Sequence, residues 1–225
     1  MKRPGLTLTL AAIICFIVSW GCSAQAPEAN LKIPPPASAV ERDVEAWREL
    51  TLSAGGFAVL VPGKPEEKSA SMETAAGQVK IHVAPVLTEV ASYVVAYAEF
   101  PAAVSDPEAV QKVLDGAVSR VVGMDRNKLL SESKISLDGV PGRRFEVDVP
   151  HLNCVVNGKA FFGDRRLYTL IITTRKYRAA PKETVTFYES AISKFLDSFR
   201  FTDEIKPART LTPTPSGPHT VARTP

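Results

Sequence analysis

The chain is poor in the residue types that most catalytic and metal-binding sites use. Its 225 residues include only 3 histidines and 3 cysteines. It contains neither a glycine-rich phosphate loop nor the zinc, redox and hydrolase signatures H-E-x-x-H, C-x-x-C and G-x-S-x-G. The formal net charge of +3 gives no electrostatic reason to expect nucleic acid as a partner. We therefore expect a protein that is not an enzyme and that uses no cofactor and no metal.

The aromatic residues divide the chain into a central domain and two flanks. Of the 17 Trp, Tyr and Phe residues, 15 lie between Trp47 and Phe201, whereas the flanks are rich in proline. Only the central segment can bury a hydrophobic core. The sequence predicts a signal peptide over 1–22, a Pro/Ala-rich tether over 23–46, an α+β domain over 47–202 and a disordered Thr/Pro-rich tail over 203–225.

The first residues are typical of an export signal. Lys2 and Arg3 precede an almost uncharged run from Leu6 to Trp20. That run is about 15 residues long, which is short for a bilayer-spanning helix of about 20 residues. A retained membrane anchor is the alternative interpretation.

The end of this run indicates how the mature protein is attached. The segment Ser19-Trp20-Gly21-Cys22 resembles the lipoprotein box of exported bacterial proteins, although Ser19 and Trp20 depart from its usual residues. The resemblance implies that Cys22 becomes the acylated first residue and that the protein is lipid-anchored to a membrane of the cell envelope. Ordinary cleavage after Ala24 is the alternative, and it would give a soluble secreted or periplasmic protein.

The central segment has the pattern of an α+β fold. Alternating apolar and polar residues, bounded by Gly and Pro, predict strands joined by short connections, which favours antiparallel pairing. We expect a single antiparallel β-sheet with two packed α-helices, each covering a sheet face. The predicted strands are 57–61, 78–83, 92–100, 134–138, 143–149, 158–162 and 165–174, and the predicted helices are 107–122 and 182–199.

Each predicted helix carries one apolar stripe. Asp106 and Pro107 suit the start of the first helix, as a cap and a first-turn residue. Spacing of three and four residues places the apolar side chains of each helix on one face. The stripes are Val110, Val113, Leu114, Ala117, Val118 and Val121 in the first helix, and Val185, Tyr188, Ile192, Phe195, Leu196 and Phe199 in the second.

Several local features resemble small exported bacterial proteins of the PsbP/Mog1-like fold. They are the strand after Gly56 that ends at Pro62-Gly63, the turn DGVPGR at 138–143, the strand RRLY at 165–168 and the ending FLDSFRF at 195–201. The resemblance covers about 47–202. It implies an α+β binding module, because the best-known members are photosystem II extrinsic proteins and a Ran-binding nuclear factor. Their partners do not carry over, since no partner-specific motif is present.

Cys154 is the best candidate nucleophile, with His151 and Asn153 beside it. Cysteine, histidine and asparagine form a known catalytic set. Within one strand, however, the odd spacing would place His151 and Cys154 on opposite faces. A half-buried structural cysteine is the ordinary interpretation.

Glu146 and Asp148 are the best candidate carboxylate pair. A spacing of two places them on one strand face about 7 Å apart, which could suit glycoside hydrolysis. Arg144 shares that face, so the ordinary interpretation is a solvated sheet face paired with neighbours such as Arg166. His82, predicted to point outward, could join His151 and a carboxylate in a metal site, but the two histidines show no ligand spacing.

The sequence therefore predicts a non-enzymatic binding or assembly module of the cell envelope. Its expected partner is an unidentified envelope protein, bound at a sheet edge or loops. The alternatives are a structural envelope protein without a ligand, and an unrecognised small-molecule-binding protein or enzyme.

Overall fold

The computed structural model describes residues 47–74, 77–123 and 127–202, so the predicted signal peptide, Cys22, the tether and the tail lie outside the described residues. The described residues form ten strands and two α-helices. In chain order they are β1 (Trp47–Leu52), β2 (Phe57–Pro62), β3 (Lys68–Thr74), β4 (Gly77–Leu87), β5 (Ala91–Glu99), α1 (Pro107–Val122), β6 (Lys128–Leu137), β7 (Val140–Val149), β8 (Cys154–Gly163), β9 (Arg166–Arg175), α2 (Lys182–Asp197) and β10 (Arg200–Phe201).

The strands form two antiparallel sheets, so the prediction of a single sheet is wrong. Seven strands lie in the order β3-β4-β5-β9-β8-β7-β6, and a separate three-stranded sheet has the order β1-β2-β10. The prediction failed because β2 pairs with β1 and β10 rather than with the large sheet. β10 is only two residues long and most of β1 is not buried, so neither strand has a clear sequence pattern.

Helix α1 covers one face of the large sheet, as predicted. The Asp106 carboxylate accepts a hydrogen bond of 2.9 Å from the backbone N–H of Ala109, which satisfies one of the free donors of the first turn. All six residues of the predicted stripe are buried. They pack mainly over β7 and β8, in a core that includes Phe145 and Phe162.

Helix α2 and the three-stranded sheet cover the opposite face. Tyr188, Ile192, Phe195 and Leu196 of the predicted stripe are buried, while Val185 is half-buried. The helix ends at Asp197, two residues before the predicted end, so Phe199 enters the core from the segment that leads into β10. The large sheet is therefore covered on both faces, which explains the nearly continuous burial of β5 and β9.

Candidate functional site

The first candidate site is a cleft of 400 Å³ between the three-stranded sheet and the β3 edge of the large sheet. We call it the aromatic cleft. β1 and the 3-10 turn Ser53–Gly55 form one wall, β3 and the segment before it form the other, and β4 and β5 form the floor. The lining residues are Thr51, Leu52, Ala54, Glu67, Lys68, Ser69, His82, Val83 and Tyr97.

The floor of the aromatic cleft is a stacked pair of rings. His82 of β4 lies directly opposite Tyr97 of β5 in the antiparallel register, so both side chains point to the same face. Their ring centroids are 4.4 Å apart and their planes differ by 5°. The Tyr97 ring is 3% exposed and meets Phe57 edge-on at 5.9 Å. The floor is thus anchored in the hydrophobic core below it.

Burial favours the protonated form of the Tyr97 phenol in this floor. Burial is the main cause that raises the pKa of Tyr97, and the nearby Glu99 raises it further. The phenol therefore stays protonated well above neutrality. Charged side chains lie on the rim of the cleft, where Lys68 forms an ion pair of 3.2 Å with Glu66.

The prediction for His82 was wrong in one respect. Val79, Ile81 and Val83 of β4 are buried, but His82, which was predicted to point outward, is half-buried rather than directed into open solvent. The reason is that the three-stranded sheet covers the face to which His82 points. The alternation along β4 correctly predicted the face of the sheet to which His82 points. It could not show that the three-stranded sheet also covers that face.

The second candidate site is a cleft of 290 Å³ between β6, β7 and β8 on one side and α2 with the segment after β9 on the other. We call it the ionic cleft. The carboxylate of Glu146 accepts a hydrogen bond of 2.7 Å from Arg178, and Asp148 forms an ion pair of 2.6 Å with Lys176. The hydrogen bond to Glu146 is the main cause that raises the pKa of Arg178. Both members of the predicted carboxylate pair are therefore engaged by cations of the same chain.

Arg166 is not the partner of this pair. Its guanidinium binds Glu99 on β5, at 2.7 Å, because β9 lies between β5 and β8 in the sheet. The cation that Glu146 does find, Arg178, follows β9 in a segment without strand or helix periodicity. No sequence pattern could have identified it.

A further ion-pair group, formed by Asp197, Lys159 and Arg144, lies near the C-terminal end of α2. Asp197 lies 2.6 Å from Lys159 and 3.7 Å from Arg144. Burial alone would raise the pKa of Asp197, but hydrogen bonds from Lys159 and Ser193 outweigh it and hold the pKa below its ordinary value. This group ties α2 to β7 and β8.

The candidate set around Cys154 is not on one strand. Pro150–Leu152 forms a 3-10 turn, and Asn153 has a left-handed backbone with φ of 51°. β8 begins at Cys154, whose thiol donates a hydrogen bond of 3.1 Å to the carbonyl oxygen of Leu152. The prediction of opposite strand faces therefore does not apply here. His151 is exposed and Cys154 is half-buried, as in the ordinary interpretation of this cysteine.

Within 47–74, 77–123 and 127–202, no three or more His, Cys, Asp or Glu side chains are grouped as metal ligands. No helix in these ranges is long and apolar enough to span a bilayer.

Comparisons with known proteins show similarity in structure alone. No protein-family model and no curated protein sequence matches the chain. The cyanobacterial PsbP protein CyanoP from Synechocystis sp. PCC 6803 is similar with a TM-score of 0.44 and 14% identity, over 69% of this chain and 92% of that one. This is the fold family that the sequence resembles.

A second similar structure is PA94, a protein of unknown function from Pseudomonas aeruginosa. Its TM-score is 0.32 and its identity 8%, over 67% of this chain and 96% of that one.

Proposed function

We propose that the protein is a non-enzymatic binding module of the cell envelope, anchored by lipid at Cys22, and that its partner binds in the aromatic cleft. One observation carries the binding site: the stacked rings of His82 and Tyr97 form the floor of a cleft that opens at a sheet edge. The anchor is supported by the lipoprotein-box resemblance described above.

The aromatic cleft has the properties of a recognition site. Its volume of 400 Å³ lies in the range of about 300–1,000 Å³ typical of ligand pockets. The half-buried His82 offers a flat surface of low conformational freedom, because its ring is held on Tyr97. Rigid aromatic surfaces in the centre of a cleft are typical of residues that dominate binding energy.

The rim indicates the chemistry of the partner. Glu67, Lys68 and Ser69 on one wall, and Thr51 on the other, offer charges of both signs and hydroxyl groups around the aromatic floor. A polypeptide segment with an apolar or aromatic side chain fits this arrangement, since the side chain can rest on His82 while the backbone bonds to the rim. β3 forms an edge of the large sheet, so its outer peptide groups can add to that recognition.

The cleft is tested by replacing His82 with alanine. We expect His82→Ala to weaken partner binding by roughly 30-fold or more, because a central anchor contributes about 2 kcal/mol or more. The matched control is His151→Ala, which removes an exposed histidine outside the cleft. Envelope proteins that are retained by the wild type and by His151→Ala, and lost with His82→Ala, identify the partner by mass spectrometry. If all three forms of the full chain retain the same proteins equally, the cleft is not the binding site.

The anchor is tested by replacing Cys22 with alanine. We expect the wild type to fractionate with membranes and to carry acyl groups, since each buried CH₂ contributes about 0.8 kcal/mol and two or more chains suffice for stable anchoring. Cys22→Ala should lose both the acyl mass and the membrane association in the native host or a bacterial surrogate. If the wild type is a soluble exported protein without acyl mass, cleavage after Ala24 is the better account.

A further inference from the structure

β6 forms the outer edge of the large sheet opposite to β3. It pairs with β7 alone among the described strands, so one side of its backbone faces outward. The register shifts between Leu129 and Ser131 and is regular from Ser131 to Leu137. An edge of this kind presents rows of N–H and C=O groups that can pair with another strand.

The charges of β6 are arranged as a mirror about Ser133. If a second β6 lies antiparallel with the two Ser133 residues opposite each other, Glu132 of each copy meets Lys134 of the other copy. Ser131 then meets Ile135, also twice. Directly opposed residues of an antiparallel pair share a face, so both Glu–Lys pairs can form cross-strand contacts.

The neighbouring charges within one chain favour this arrangement. The buried guanidinium of Arg143 binds both Asp115 at 2.6 Å and Glu132 at 3.0 Å, so this group of three has an excess negative charge. Lys134 lies opposite Arg143 in the β6–β7 register, so the four side chains together have no net charge, but Lys134 faces a cation rather than a carboxylate across its own strand pair. In the proposed pairing each Lys134 would lie directly opposite Glu132 of the other copy, so that a carboxylate faces it on the side away from Arg143.

The alternative registers are less favourable. Moving the second strand by two residues in one direction places Lys134 opposite Lys134, and moving it by two in the other direction places Glu132 opposite Glu132. A shift by one residue turns the second strand over, so that Glu132 and the other copy's Lys134 no longer share a face of the sheet. The charge pattern therefore selects the register centred on Ser133.

We propose that two copies of this chain pair edge to edge through β6, about a two-fold axis at Ser133, so that their seven-stranded sheets become continuous. The interface is self-complementary, as a two-fold dimer requires. It does not use the aromatic cleft, which lies beside the opposite edge, and so it is independent of the function proposed above.

The test is cysteine cross-linking of the full chain in cells. Ser133→Cys should form a disulfide-linked dimer on mild oxidation, because opposed residues in an antiparallel pair have Cα atoms about 4.5–5.5 Å apart, within disulfide range. The matched control is Ser136→Cys, also an exposed serine of β6, whose two copies would lie about 20 Å apart. The wild type reports any cross-link that the native cysteines form.

A dimer band on a non-reducing gel at least tenfold stronger for Ser133→Cys than for Ser136→Cys is the expected result. Equal bands, or a stronger band for Ser136→Cys, would overturn the proposal. Adding Lys134→Glu to Ser133→Cys should lower the cross-linked fraction by about threefold or more, since each Glu132 then meets a glutamate. An unchanged fraction in that double variant would contradict the register selected by charge.

Discussion

Replacing Phe199 by alanine is expected to lower the free energy of unfolding by about 3–5 kcal/mol. The Phe199 ring is 4% exposed. It stacks on Phe161 at 5.4 Å and lies 5.3 Å from Phe57 and 5.9 Å from Tyr168. These rings come from the small sheet and the large sheet, so Phe199 joins the two at the exit of α2. Its removal leaves a cavity whose walls are held by two sheets and cannot readily collapse.

Equilibrium unfolding in urea measures this effect. Leu87→Ala is the matched control, because Leu87 is 65% exposed and its truncation should change stability by less than about 0.5 kcal/mol. A similarly small change for Phe199→Ala would show that the segment after α2 does not seal the core between the sheets.

The helices could be predicted from the sequence because their signals are local. For α1, the cap at Asp106, the proline at the first position and one apolar stripe all agree, and both predicted ends match those observed. For α2 the stripe is correct, but Phe199 continues its spacing beyond the helix end at Asp197. An apolar residue that is buried by the following strand looks the same in sequence as one more helical position.

The pairing of the strands could not be predicted, because it depends on contacts between distant residues. The apolar run of β2 suits the centre of either sheet. Its neighbours are β1, which precedes it, and β10, which pairs Phe201 with Phe57 across most of the domain. That contact exists only when α2 has returned the chain to β2, and nothing in the sequence near Phe57 indicates it.

The contacts in the candidate sites could not be predicted either, because they also depend on residues that are distant in the sequence. Glu146 and Asp148 do share a face, as their spacing predicts, but their cations Arg178 and Lys176 lie in the segment after β9. The stack of His82 on Tyr97 depends on the register between β4 and β5. Alternation shows which residues of one strand share a face, but the residue across the sheet is set by register and turn geometry.

The buried guanidinium of Arg143 is paired with two carboxylates, those of Asp115 and Glu132. We expect the double variant Asp115→Asn, Glu132→Gln to lose about 3 kcal/mol of stability. Arg143 is 4% exposed, and its guanidinium lies 2.6 Å from Asp115 and 3.0 Å from Glu132. With both carboxylates made neutral, the guanidinium keeps its charge in a buried place without a counter-ion, and desolvation of an unpaired charge is costly.

The matched control, Arg143→Met, removes the charge instead of its partners. It should cost about 1 kcal/mol or less, because a buried ion pair replaced by an apolar side chain of similar volume is often nearly neutral. The two carboxylates can then hydrate, since the side chains of Asp115 and Glu132 are 57% and 30% exposed. Urea unfolding of both variants measures the difference. If Arg143→Met is the more destabilised of the two, the group stabilises the fold through the packing of the arginine stem rather than through charge compensation.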